Sequence, residues 1–84
     1  MYYTYILYSK KLSKYYVGQT QDLEQRLIDH NVGRTKYAKK GIPWDLVYYF
    51  ELSTRSEAIK LETRIKSRGI KRFLTGLGII IPNN

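Results

Sequence analysis

The chain has no cysteine, and that absence removes several kinds of protein at once. A disulfide scaffold, a thiolate zinc site and a cysteine nucleophile are all excluded. With a single histidine, a multi-histidine metal site is excluded too. Long apolar runs are also missing. The C-terminal run Gly78–Pro82 falls far short of the ~20 residues that a membrane-spanning helix needs. The first five residues, Met-Tyr-Tyr-Thr-Tyr, put no charged segment ahead of an apolar stretch and do not read as a signal peptide. The expectation is a cytoplasmic protein without membrane contact. Acidic residues are few: Asp and Glu number 7 against 15 Lys and Arg, a net charge of +8. On so small a body that excess favours polyanions, nucleic acid above all. The plainer reading is a charge kept for solubility.

What is present fits one small domain. Apolar residues make up 43 % of the 84, enough for a core. A chain this short buries only roughly 60–65 % of its unfolded surface. Its stability is then on the order of 5 kcal/mol.

Tyr2–Ser9 is rich in aromatic and β-branched residues and reads as a strand. Lys10–Ser13 reads as a turn and Lys14–Thr20 as a second strand, so the pair forms an antiparallel hairpin. A first helix opens at Asp22, with Gln25 completing a capping box, and stops at Gly33. Arg34–Trp44 reads as a basic loop and Leu46–Leu52 as a third strand. Thr54 and Glu57 form another capping box, opening a second helix through about Lys66. After a break near Ser67–Gly69 a short third helix covers about Ile70–Leu77. The order β-β-α-β-α-α implies an α+β domain over residues 1–77: a three-stranded antiparallel sheet with its helices on one side, and a tail at 78–84.

Four groups of residues could carry chemistry. On a helical wheel of about 100° per residue, Glu62 falls inside the apolar arc of the second helix, with Ala58 and Ile65 to one side and Ile59 to the other. A carboxylate there needs a partner or a cation. The alternatives are a salt bridge to an arginine across the core edge, or a ligand for a hard divalent cation such as Mg²⁺. On the first helix Arg26 and His30 are four residues apart and share a face. The Arg26 fork suits phosphate. Equally, Asp22 or Asp29 could hold it in an ordinary surface ion pair, and His30 could be a packing residue.

A four-residue turn pairs Ser9 with Lys14, which sets Leu7 opposite Tyr16 and Tyr5 opposite Gly18. Tyr5 and Tyr16 then project from one face, and Gly18 leaves space beside Tyr5. A bulge or a tight packing contact would also explain that glycine. Finally, Arg64, Lys66, Arg68, Lys71 and Arg72 run without an intervening acid, and Lys36, Lys39 and Lys40 lie near Tyr37 and Trp44. Basic residues beside aromatics suit phosphate contact and base stacking, though a run of charge is more often a solvated face.

Taken together, these residues resemble the GIY-YIG nuclease domain. Tyr3-Thr4-Tyr5 stands at its first motif and Tyr16-Val17-Gly18 at its second, with ten residues between them. Asp22–Asn31 is similar to the family's arginine-bearing helix, and Thr54–Ala58 with Leu61-Glu62 to its glutamate-bearing helix. Tyr3 and Thr4 replace the Gly and Ile of the first motif, and Val17 the Ile of the second. The likeness spans about residues 2–74 and is nearest to small stand-alone bacterial members.

The resemblance implies hydrolysis of DNA phosphodiester bonds with one Mg²⁺ or Mn²⁺ ion, in DNA repair or processing. Glu62 would hold the ion and Arg26 would neutralise charge on the phosphate. Tyr5 would orient or deprotonate water, with Tyr16 or His30 assisting. Lys36, Lys39, Lys40, Arg64, Lys66 and Arg68 would contact DNA, which could be branched or damaged, and a protein partner could supply selectivity. Two other readings stand beside it. One is a nucleic-acid-binding module with little activity of its own. The other is an interaction domain in which Arg26 and Glu62 form a buried ion pair.

Overall fold

The computed structural model describes residues 1–34 and 36–79. Its elements follow the order β1 (Tyr2–Ser9), β2 (Lys14–Thr20), α1 (Leu23–Asn31), α2 (Lys36–Lys39), β3 (Trp44–Leu52), α3 (Arg55–Arg68) and α4 (Ile70–Gly76). The three strands form one antiparallel sheet in the order β2-β1-β3. The hairpin register is the expected one: Ser9 faces Lys14, Leu7 faces Tyr16 and Tyr5 faces Gly18.

The sheet departs from expectation in one respect. Helices cover both of its faces rather than one. Tyr5 and Leu7 pack with Ala38 and Trp44 on the side of α1 and α2. Ile6 and Val17 pack with Ile65 and Leu74 on the side of α3 and α4. The cause is visible in β1, which is buried without a break from Thr4 to Ser9. A strand covered on both faces reads as a continuous apolar run instead of alternating with polar residues.

The ends of the helices follow local chemistry. The Asp22 carboxylate accepts a hydrogen bond from the Gln25 backbone N–H at 3.0 Å. The Gln25 side chain does not return the bond but donates to Asp29 at 3.0 Å, so this box is half formed. The box at Thr54 and Glu57 is complete. Gly33, at φ 76°, turns the chain at the end of α1, and the Arg34 N–H bonds the Asp29 carbonyl. Gly78, also at φ 76°, does the same after α4: the Ile79 N–H bonds the Leu74 carbonyl, and the Ile79 side chain packs against that core cluster. The start of the expected tail is thus a helix cap; residues 80–84 of that tail lie outside the described residues.

Two boundaries moved. The basic loop contains the single turn α2, held by tertiary contact: Ala38 is buried and its carbonyl accepts from Trp44 Nε1 at 2.8 Å. One turn is too short to show a helical period in sequence. β3 begins at Trp44, not Leu46, because Trp44 pairs with Ser9 and buries its ring.

Candidate active site

The site lies on the α1 side of the sheet, beside the β1–β2 hairpin. β1 delivers Tyr5 to it, almost wholly buried, and the facing position on β2 is Gly18. A Cβ at residue 18 would sit 2.7 Å from Tyr5 Oη and 3.1 Å from the Tyr16 ring. Real Cβ atoms do not approach so closely, so glycine makes the room in which the Tyr5 hydroxyl lies.

α1 contributes His30 and Arg26. His30 is 1 % exposed. Its Nε2 is 3.3 Å from Tyr5 Oη, and its ring centre is 4.8 Å from that of Tyr16. Burial first, then the Arg26 charge, hold the His30 pKa below its ordinary value, with Asp29 pulling the other way. His30 is therefore a neutral imidazole near pH 7. Its Nδ1 has no hydrogen-bond partner among the described residues. The Arg26 charge pulls the pKa of the Tyr5 phenol down. Neither acid that could have tied Arg26 down does so among the described residues. Asp22 serves as the helix cap, and Asp29 pairs with Arg34 at 3.5 Å.

α3 contributes Glu62. Ala58 and Ile65, which the wheel sets to one side of it, are buried, whereas Ile59 on its other side is exposed, so Glu62 lies at the edge of the buried arc with its side chain 20 % exposed. Its carboxylate reaches neither Arg26 nor any other arginine within ion-pair distance among the described residues, which overturns the buried Arg26–Glu62 pair. It accepts instead from Lys66 Nζ, one helical turn on, at 2.9 Å. That contact raises the Lys66 pKa, and Tyr16 adds to the effect.

These groups share one electrostatic neighbourhood. Burial pushes the Tyr5 phenol well above its ordinary pKa, and Tyr16 and Glu62 push it the same way. Arg26 opposes them and does not win. Tyr5 is thus a neutral hydroxyl at any ordinary pH, better suited to holding water in place than to removing its proton unaided.

The basic residues divide. Lys66 sits at the site through Glu62 and Tyr16. Lys36 and Lys39 flank Tyr37, whose ring lies 6.0 Å from Tyr16 and 6.1 Å from Trp44, so α2 forms the rim next to Tyr16. Lys40 follows α2 and is exposed. Arg64 and Arg68 are about 200° and 240° around α3 from Glu62. They line a separate cleft against α4, with Phe73 and Leu77, of about 620 Å³.

Two contributors were not singled out in the sequence. Asn31 clamps the start of β3: its Nδ2 donates to the Trp44 carbonyl at 3.1 Å and its Oδ1 accepts from the Trp44 N–H at 2.6 Å. This fixes the end of α1, and His30 with it. An asparagine in the last turn of a helix is a weak signal that its side chain bonds elsewhere. Arg55 shares with Arg26 an open hollow of about 370 Å³, bordered by Tyr2 and Gln19. Only the fold brings these two arginines together.

A three-stranded sheet between two helical layers, with two tyrosines, an arginine, a histidine and a glutamate converging beside its hairpin, defines a class of small α+β domain. Comparison with known proteins gives its family. The sequence pattern of the GIY-YIG catalytic domain matches residues 1–72, and the chain belongs to the GIY-YIG family, a superfamily of nucleases. Among its relatives is the UPF0213 protein SSP2268 of Staphylococcus saprophyticus, 44 % identical over 77 % of this chain and 79 % of that protein. The UPF0213 protein lwe0147 of Listeria welshimeri is 40 % identical over 64 % of this chain and 61 % of that protein. The solution NMR structure of the UPF0213 protein BH0048 from Bacillus halodurans superposes with a TM-score of 0.57 at 31 % identity, covering 92 % of this chain and 85 % of that one. No described helix is long and apolar enough to cross a membrane.

Proposed function

We propose that this chain is a divalent-cation-dependent endonuclease that hydrolyses DNA phosphodiester bonds, acting in the cytoplasm in DNA repair or processing, with residues 1–77 as its one domain. The observation that carries the reading is the convergence of Tyr5, Tyr16, Arg26, His30 and Glu62 around the space left by Gly18.

Glu62 fits a cation. It is a hard oxygen donor, largely withdrawn from solvent, and already holds the positive charge of Lys66. The described residues contain no group of three or more His, Asp or Glu side chains that could enclose an ion. One carboxylate suits Mg²⁺ or Mn²⁺ that completes its shell with water and substrate phosphate. Bound there, the cation supplies Lewis-acid charge to the phosphate and to the leaving oxygen.

The chain's own groups do the rest. Arg26 offers its fork to the non-bridging phosphate oxygens, where negative charge grows. The Tyr5 hydroxyl, kept neutral and anchored by His30, orients the attacking water, and Tyr16 closes the other side of the space. Hydrolysis adds the water oxygen to phosphorus. Its two hydrogens go to the new phosphate and to the leaving oxygen as the P–O bond breaks. Lys36, Lys39, Lys40 and Lys66 receive flanking phosphates on the near side, and Arg64 and Arg68 receive more distant ones.

The test is nicking of supercoiled plasmid by wild type and by Glu62→Gln, with Mg²⁺, with Mn²⁺ and with EDTA. Wild type relaxes the plasmid only with metal, and Glu62→Gln loses roughly 10²-fold or more in rate while still binding DNA. Equal cutting by both proteins overturns the assignment. If neither cuts plasmid or branched and single-stranded substrates while both bind them, the chain is a nucleic-acid-binding module.

A further inference from the structure

Lys66 is placed where a cation would be. Its Nζ lies 2.9 Å from Glu62 Oε2, and Tyr16, on the wall of the site, lies within its electrostatic reach. The lysine itself is 60 % exposed and could extend into water without loss of packing. The carboxylate is the less exposed partner, at 20 %. A half-withdrawn carboxylate gains more from a fixed positive charge than an open one does.

We infer that the Lys66 ammonium is a built-in stand-in for the divalent cation. It occupies the Glu62 carboxylate in the metal-free protein and must be displaced when the cation binds. The inference rests on the reading of Glu62 as the cation ligand and adds a competitor to it. Lys66 then has two partners in turn. Without metal it neutralises Glu62, so an incoming phosphate does not meet a bare carboxylate. With metal it is released beside Tyr16, one helical turn from Glu62, where a phosphate oxygen of the nucleic acid is the anion that captures it. Phosphate capture of the freed lysine favours the metal-bound state, so nucleic acid and cation raise each other's affinity by the same factor.

The experiment measures Mn²⁺ binding to the full chain without DNA, by the electron paramagnetic resonance signal of free Mn²⁺. Four proteins are compared: wild type, Lys66→Met, Glu62→Gln and the double variant. Lys66→Met removes the competitor and a like charge near the ion, and binds Mn²⁺ about five-fold tighter or more. Glu62→Gln binds weakly, and adding Lys66→Met to it restores nothing, which shows that the gain acts through Glu62. Melting of Lys66→Met stays within about 2–3 °C of wild type, since a surface i,i+4 pair contributes little to stability. Unchanged or weaker Mn²⁺ binding by Lys66→Met, with Glu62→Gln still defective, overturns the inference and leaves Glu62 as the ligand. Wild-type Mn²⁺ affinity in Glu62→Gln overturns both.

Discussion

The two faces of the sheet are built on different terms. Beneath α3 and α4 the core is Ile6, Val17, Ile65 and Leu74, ringed by Phe50, Leu61, Ile70 and Phe73. One buried oxygen on that side, Tyr15 Oη, lacks a hydrogen-bond partner among the described residues. Beneath α1 and α2 the core holds Tyr5, Trp44 and His30, with Tyr16 and Tyr37 stacked at its edge. Apolar burial stabilises the first face at about 25 cal/mol per Å². On the second, part of that gain is offset by dehydrating the Tyr5 hydroxyl and the His30 imidazole, whose Nδ1 ends unpaired among the described residues. A domain of this size has little stability to spare. The contrast teaches a division of labour: the α3–α4 face holds the fold together so that the α1–α2 face can keep polar groups buried near a substrate. α3 serves both, with Ile65 facing the first and Glu62 the second.

That division makes separable predictions. The largest effect falls on the apolar face. Ile65→Ala removes a fully buried side chain and costs about 2–5 kcal/mol. Most of the ~5 kcal/mol available to a chain this small is then gone. Denaturant unfolding should show this shift, while nicking per folded molecule stays near wild type. A large loss of specific activity in the folded fraction would show that the two faces are not separable. Next is Gly18→Ala. The new methyl meets Tyr5 Oη at 2.7 Å and pushes the hydroxyl from its place. Stability falls by about 1–3 kcal/mol, but cleavage falls by about 10²-fold, because a displacement near 1 Å at a reacting centre is that damaging. Full activity in Gly18→Ala would mean that the gap is a packing detail and not a place kept for Tyr5.

The hairpin and its register were legible in the sequence because loop length and strand alternation fix them together. Four turn residues set Ser9 against Lys14, and Tyr5 and Gly18 then meet without further choice. Glu62 was legible as an anomaly, an acid within an apolar arc. Its partner was not. The expectation of an arginine across the core edge was replaced by Lys66 on the same helix, because the pairing depends on reach and exposure, which a helical wheel does not carry. The second helical layer could have been read from β1, whose run Thr-Tyr-Ile-Leu-Tyr has no polar alternation. The divergence of Arg64 and Arg68 from Glu62 was also open to the same wheel. Asn31 left only a weak signal and α2 none, since both are held by Trp44 through contacts that exist only in the folded chain.

The smallest effect concerns pH and separates the two faces by charge alone. His30 is held neutral on the α1–α2 face by burial and then by Arg26, against the weaker pull of Asp29. Tyr5, Tyr16 and Trp44, which also face it, bring no positive charge to relieve or counter that. In the unfolded chain the imidazole titrates at about 6.5. Below that pH the unfolded chain binds a proton that the folded chain still refuses. The contribution of His30 to stability is therefore complete above pH ~6.5, declines as pH falls toward its lowered folded value, and then levels off. Carboxylates elsewhere also respond to acid, so the comparison must be with His30→Gln, whose melting temperature should fall less than that of wild type between pH 7 and pH 5. Ile65→Val on the opposite face provides the control: it lowers the whole curve by about 1 kcal/mol without changing its slope. Parallel curves for wild type and His30→Gln would mean that the buried imidazole titrates as freely in the fold as in water, and the case for a neutral His30 anchoring Tyr5 would fail.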